Sequence, residues 1–234
     1  METQLGMWLN SILACAAGYL LGSIPYGLII VKLISGKDVR KIASGRTGGT
    51  NAMRAAGFGA GLLTGLMDVF KGIAAGLFAG WLVPSSELAI VAAALMAVVG
   101  HNYSVFLLHK NEKNRLAFGG GAGGATCLGG AISLWPPIWL ILLPVLALVF
   151  VFVGYASVAT MSIAAAATIV FTVRAAMGLS SWVFVLYGVI SMILLVIALL
   201  PNIRRLRDGT ERVVGLRAYF AKKKENQAPK NTSA

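Results

Sequence analysis

The stretch SWVFVLYGVISMILLVIALL, residues 181–200, contains no charged side chain. A bilayer's hydrocarbon core is about 30 Å thick, and about 20 apolar helical residues cross it. Windows of this character recur at about residues 9–34, 58–82, 88–108, 121–135, 138–155, 157–173 and 181–200. They predict an all-α integral membrane protein, a bundle of about seven transmembrane helices. The fourth window, GGGAGGATCLGGAISLW, is short and glycine-rich, so a half-helix entered from a backbone loop, and six crossings in place of seven, stays open. Hydrophobic residues make up 58% of the chain and charged ones 12%, which excludes an ordinary soluble domain. With 234 residues the chain has room for one membrane domain, 1–200, and a basic tail, 201–234, expected to lack stable structure from 222 onward.

Orientation follows from lysine and arginine, because positive residues flanking spans stay cytoplasmic. Lys32, Lys37, Arg40, Lys41, Arg46 and Arg54 fall in or beside the first loop, Lys110, Lys113 and Arg115 in the third, and nine more in the tail; Lys71 and Arg174 fall elsewhere. Seven spans place all but those two on one face, with the N-terminus outside and the C-terminus cytoplasmic. The net charge of +12 is then explained by topology and anionic headgroups, and no nucleic-acid-binding motif accompanies it. The N-terminus carries Glu2 and no nearby Lys or Arg, unlike a cleavable signal, so the first span is expected to be retained. Cys15 and Cys127 sit among apolar and glycine residues and read as small buried hydrophobes.

Against this apolar background stands SGRTGGTNAMRAAG, Ser44 to Gly57. FGGGAGGAT, Phe118 to Thr126, opens an apolar helix, an arrangement that lets backbone N–H groups converge on an anion, although glycine runs also serve close helix packing. PNIRRLRDGTER, Pro201 to Arg212, offers Asn202, arginines and Glu211 at the same face. DVFKG sets Asp68 and Lys71 three residues apart on one helix face, where they would neutralise each other, and GHN brings His101 near the same membrane surface. No His/Cys set has metal-ligand spacing and no serine-hydrolase or nucleotide-loop motif occurs, so neither a metal nor another cofactor is expected. Arg, Asn, Ser, Thr and glycine amides gathered at a membrane surface suit a phosphorylated substrate whose other part is lipid.

These segments resemble the bacterial acyl-phosphate-dependent glycerol-3-phosphate acyltransferases. GSIPYG in the first span is similar to that family's GSIP-x-G, SGRTGGTNAMRAAG to its S-G-N-x-G-x-T-N-x-x-R-x-x-G, GGAGGAT to G-G-K-G-x-A-T, and NIRRLRDGTE to N-I-x-R-L-x-x-G-x-E; DVFKG and GHN recur in its second and third spans. The likeness runs over about residues 12 to 212. It implies seven spans in the bacterial cytoplasmic membrane and acyl transfer from acyl phosphate to the 1-hydroxyl of glycerol 3-phosphate. It implies catalytic roles for Ser44, Asn51 and Arg54, and phosphate contacts from Arg46, Thr50, Gly120, Gly121, Gly123, Gly124 and Asn202. Asp68, Lys71, His101 and Glu211 would support them, and 201–212 would belong to the active site. Implied partners are the two substrates, membrane lipid and the enzyme that makes acyl phosphate.

The chain departs from the pattern at specific positions. The glycine motif's lysine is Ala122, the first motif's asparagine is Arg46, and the histidine three residues before Asn202 is Leu199. The loop Lys110 to Arg115 is longer and more polar than the family's. If the first loop meets the glycines, Arg46 restores the missing charge. Two further readings are a catalytically degraded relative that binds a phospholipid precursor or a membrane partner, and a small transporter, the latter disfavoured because the polar residues gather at one face and no internal repeat is visible.

Overall fold

Pro25 divides the first apolar window, because its ring removes a helical N–H. In the computed structural model, which describes residues 4–110 and 114–227, the helix ends at Ser23 and restarts at Tyr26. These pieces are α1 (Gln4–Ser23) and α2 (Tyr26–Ser35). A 3-10 turn at Val39–Lys41 and an irregular loop lead to the short α3 (Gly49–Ala56), and Gly57, at φ +90°, turns the chain into α4 (Phe58–Leu82). Ser86 caps α5 (Glu87–Asn102), its Oγ accepting from the Ala89 N–H at 3.2 Å.

The third window was expected to remain helical to 108, and there the fold differs. Beyond Asn102 the chain forms an antiparallel hairpin, β1 (Ser104–Lys110) with β2 (Leu116–Gly119), pairing Lys110 with Leu116 and Ser104 with Gly119. Val105 and Phe106 are as apolar as helix residues but favour a pleated surface, and the Ser104 hydroxyl ties the hairpin to the Ser23 carbonyl at 2.5 Å. The α-helical membrane bundle thus carries one short hairpin at its polar end. Residues 111–113 of the Lys110–Arg115 loop lie outside the described residues.

The rest of the bundle is α6 (Gly124–Leu134), α7 (Trp139–Leu148) with a π-helical turn at Val149–Val153, α8 (Ala156–Ala176) and α9 (Val183–Arg207). The last window runs seven residues past its expected end at 200, with Arg204, Arg205 and Arg207 in its final turn, where cations suit the helix dipole. The final helix α10 (Gly215–Gln227) takes in residues 222–227, expected to be unstructured; 228–234 lie outside the described residues. Among the described residues, five helical stretches are long and apolar enough to cross a membrane: 4–35, 58–82, 136–153, 156–176 and 183–207. The apolar α5 and α6 are shorter, at 16 and 11 residues. α6 rises about 16 Å, half of a hydrocarbon core, as its glycine-rich window suggested.

Small residues let these helices approach, as expected where lipid removes the hydrophobic drive between them. Gly18 and Gly22 of α1 lie on the backbone of Ala93 and Ala97 of α5, and Gly72 of α4 lies on Thr126 and Gly130 of α6. The larger core gathers Leu128, Leu142, Ile163, Phe171, Tyr187 and Leu195. Leucines, isoleucines and phenylalanines on the outer faces of α1, α4, α7, α8 and α9 are exposed, as a lipid-facing surface requires. Trp8 at the start of α1, Trp81 at the end of α4, Trp135 after α6, Trp139 at the start of α7 and Trp182 before α9 gather at one end of the bundle, as tryptophan does at membrane interfaces. The polar loops gather at the other end.

Candidate functional site

The first loop is shaped by Asn51. Its side-chain amide donates to the carbonyls of Val39, Ile42 and Arg46 at 3.0, 2.9 and 2.8 Å, folding Ser44 to Thr47 back over α3. The Thr47 N–H then donates to the Gly120 carbonyl at 3.2 Å, so the first loop and the glycine loop meet. On the far side, the Gly121 N–H donates to the His101 carbonyl at 2.9 Å. Gly121 also lies against the imidazole so closely that a Cβ would sit 1.9 Å from Nε2. Gly120 and Gly121 therefore fasten the loop, whereas Gly123 and Gly124 face inward at the start of α6, Gly123 in the left-handed region at φ +83°.

Inward of both loops lies a cavity of about 630 Å³. Its polar end is lined by Ser44, Arg46, Thr50, Asn51, Arg54, Asn202, Glu211 and the glycine loop. Its other end runs between Leu62 and Leu66 of α4 and Leu143, Leu146 and Phe150 of the α7 segment. The expected site residues thus converge, except that Lys71, Gly120 and Gly121 stand behind the wall.

The carboxylates in the wall are both engaged. Asp68 Oδ1 lies 2.9 Å from Lys71 Nζ and 3.4 Å from His101 Nδ1, all three being buried. Lys71 Nζ also donates to the Ile24 carbonyl at 3.1 Å, beside the break before Pro25. Glu211 accepts from Asn202 Nδ2 at 2.7 Å and from Arg205 Nε at 3.0 Å. Arg46, Arg54 and Arg212, by contrast, have no carboxylate within ion-pair distance among the described residues. Arg46 reaches the Ala198 carbonyl of α9, and Arg212 donates to the Ala43 carbonyl at 3.0 Å.

Burial and then the like charge of Arg205 lower the pKa of Arg46; burial and then Arg212 lower that of Arg54. Guanidinium stays charged regardless, so both are cations held partly out of water and beside like charge, a position that an anion would relieve. Leu199 is buried in the wall one residue from the carbonyl that Arg46 grips, and Ala122 lines the same cavity. The arginine that departs from the motif thus stands in the space bordered by the two positions where polar groups are lost.

Sequence reasoning missed Arg212 and Ser157 as lining residues. Arg212 stood at the end of the 201–212 segment without a role of its own. Ser157, buried in the first turn of α8 with no hydrogen-bond partner for Oγ among the described residues, carried no motif signal.

The glycerol-3-phosphate acyltransferase family model matches residues 12–209. Glycerol-3-phosphate acyltransferase from Syntrophomonas wolfei is 36% identical over 195 residues, covering 82% of this chain and 91% of its own. An enzyme of the same name from Thermus thermophilus is 39% identical over 204 residues, covering 86% and 93%. A crystal structure of PlsY, an integral membrane glycerol 3-phosphate acyltransferase in its glycerol 3-phosphate form, superposes with a TM-score of 0.75 at 28% identity, over 90% of this chain and 98% of that one. A lysophosphatidic acid form of PlsY gives 0.72. A family match over most of the chain, relatives above 30% identity along nearly their whole length and a shared membrane fold agree: the chain belongs to the glycerol-3-phosphate acyltransferase family.

Proposed function

We propose that the chain transfers a fatty acyl group from acyl phosphate to the 1-hydroxyl of sn-glycerol 3-phosphate, giving lysophosphatidic acid and inorganic phosphate, the first acylation of phospholipid synthesis. One observation carries the reading. A single cavity has, at one end, arginines with no carboxylate partner among the described residues and, at the other, an apolar slot, complementary to molecules that join phosphate to an acyl chain.

Acyl phosphate is already activated, so the protein has to align the hydroxyl with the carbonyl carbon and neutralise the phosphate that leaves. The hydroxyl oxygen bonds to the carbonyl carbon, the carbon–oxygen bond to phosphate breaks, and the hydroxyl proton goes to a phosphate oxygen. Neither Asp68 nor Glu211 is free to take it, each being held by cations. Arg54 grips the glycerol 3-phosphate phosphate with Ser44 and Thr50. Arg46 and the N–H groups at Gly123 and Gly124 cradle the leaving phosphate. Asn51 holds the loop in shape, and Asn202, donating to Glu211 at 2.7 Å, braces the wall beside the phosphates. Removing a charge-assisted contact costs about 1.5–3 kcal/mol, so Arg54→Ala should lower kcat/KM by roughly one to two decades and Arg54→Lys by less. Wild-type kinetics in folded Arg54→Ala would reject that role.

The decisive assay offers purified protein glycerol 3-phosphate with acyl phosphate, acyl-CoA or acyl-carrier protein. Transfer from acyl phosphate alone supports the reading, and transfer from another donor alone replaces it. The losses at Ala122 and Leu199 favour a second reading, a binding relative without activity, which inactivity with every donor in a folded preparation would support.

The same proposal places a membrane domain over 1–200 in the bacterial inner membrane, continuous with a tail whose 201–212 segment completes the site. It counts seven spans, with α5 and α6 as crossings, puts the N-terminus outside, and includes the enzyme supplying acyl phosphate as a neighbour. Single cysteines at Thr3 and Asn231, in a variant lacking Cys15 and Cys127, should react with an impermeant maleimide from opposite sides. Labelling from the same side would exclude an odd number of crossings.

A further inference from the structure

α10 begins beyond residue 209, where the family match ends, and it is fastened to the bundle along one side. The Val214 N–H donates to the Gly154 carbonyl at 2.9 Å, and Val213 forms an antiparallel bridge with Tyr155. Arg217 Nη1 donates to the Tyr155 hydroxyl at 2.7 Å, with its guanidinium 5.0 Å from that ring. The helix is thereby pinned to the turn between α7 and α8, at the end of the bundle that carries the polar loops.

Among the described residues nothing covers its other side. Leu216, Tyr219 and Phe220, spaced as neighbours on one helical face, are exposed, with Tyr219 and Phe220 stacked edge to face at 5.4 Å. Lys223 continues the same face one turn on, and Lys224 lies beside it, both exposed. The sequence of the helix holds four basic residues against one acidic. Phe152 and Val153, two residues and one residue before the Gly154 anchor, are exposed as well, at the end of a stretch apolar enough to span a membrane. The stripe on α10 therefore borders the lipid-facing surface of α7. Thirteen residues rise about 20 Å and are too few to cross a bilayer, while a short stripe of aromatic and aliphatic side chains edged by lysines suits a helix lying in the plane of a membrane surface.

We infer that α10 is an interfacial helix whose Leu216, Tyr219 and Phe220 enter the headgroup region of the surrounding bilayer and whose Lys223 and Lys224 bind anionic lipid headgroups. Lipid is favoured over an acidic protein because the stripe adjoins side chains already facing hydrocarbon, and because lysines beside aromatics match the layered chemistry of an anionic membrane surface. Since Arg212, in the strap leading to α10, lines the cavity and Val213 and Val214 anchor that strap, headgroup binding also steadies one wall of the polar end.

The test uses the full chain with Cys15 and Cys127 replaced by alanine and a spin label at Phe220→Cys or, separately, Leu216→Cys, one protein per nanodisc. In discs containing phosphatidylglycerol both labels should collide with oxygen in preference to a water-soluble nickel chelate, at a depth of about 5–10 Å. In phosphatidylcholine discs, or after Lys223→Glu with Lys224→Glu, they should rise towards water. The unmodified chain gives a second measurement: trypsin cleavage at Lys223 and Lys224 should be severalfold slower in phosphatidylglycerol discs than in phosphatidylcholine discs. Labels open to nickel in both lipids would overturn the proposal, as would equal depth and equal cleavage in the two. Protection that appears in detergent along with dimer formation would assign the stripe to a second copy and overturn it equally.

Discussion

Lys71→Met should destabilise the protein by about 3–5 kcal/mol, the cost of leaving a buried carboxylate without its main partner. Asp68 and Lys71 each expose 2% of their side chains, so no water stands ready to solvate the survivor. His101, at 3.4 Å, gives Asp68 a second contact but leaves the Ile24 carbonyl without the ammonium that bridges it to α4. The loss should appear as a lower thermal midpoint in detergent, measured by tryptophan fluorescence. Asp68→Asn combined with Lys71→Met removes both charges and should recover much of the midpoint, because two neutral side chains carry no uncompensated charge. An unchanged midpoint for Lys71→Met would show that the pair contributes nothing to stability. A further fall in the double variant would show that Asp68 acts through other partners.

This pair was legible in the sequence because spacing on one helix is local information: three residues apart on α4 means one face. The apolar windows were legible for the same reason, since a lipid environment demands long uncharged runs whatever the tertiary structure. The hairpin was not, because a window average cannot separate β-branched and aromatic residues in a strand from apolar residues in a helix. Nor was the division of labour among the glycines. Gly121 and Gly123 look alike in GGGAGGAT, yet one is held against His101 while the other turns left-handed at the start of α6. Asn51 carried the signature of a ligand, but its amide is taken by three backbone carbonyls of its own loop. Arg212 becomes a lining residue only because the chain folds back after α9 to reach Ala43, 169 residues earlier in the sequence. Local chemistry was readable; contacts between distant segments were not.

Arg46→Asn should lower kcat by about two to three decades, the loss typical of removing a donor aimed at charge that develops in the transition state. The expectation rests on three contacts that hold the arginine in place. The Thr47 N–H ties its neighbour to the Gly120 carbonyl, the Ser44 hydroxyl accepts from its own N–H at 3.4 Å, and its guanidinium reaches the Ala198 carbonyl beside Leu199. Its cation thus lies in the cavity that Ala122 also lines, and a lysine at 122 would share that space. If Arg46 replaces the lysine that relatives carry in the glycine motif, one leaving phosphate sees one cation, supplied from either loop. Adding Ala122→Lys to Arg46→Asn should then restore much of the activity, while Ala122→Lys alone gains little or loses some by crowding a second cation beside the first. The signature is non-additivity larger than about 0.5 kcal/mol between positions with a common partner, measured as kcat and kcat/KM over the four variants. Effects that simply add would mean that Arg46 serves another role, such as bracing the first loop against α9. Should the wild type transfer no acyl group from any donor while Arg46→Asn with Ala122→Lys and Leu199→His gains transfer, the chain would be a relative that kept the cavity and lost its chemistry.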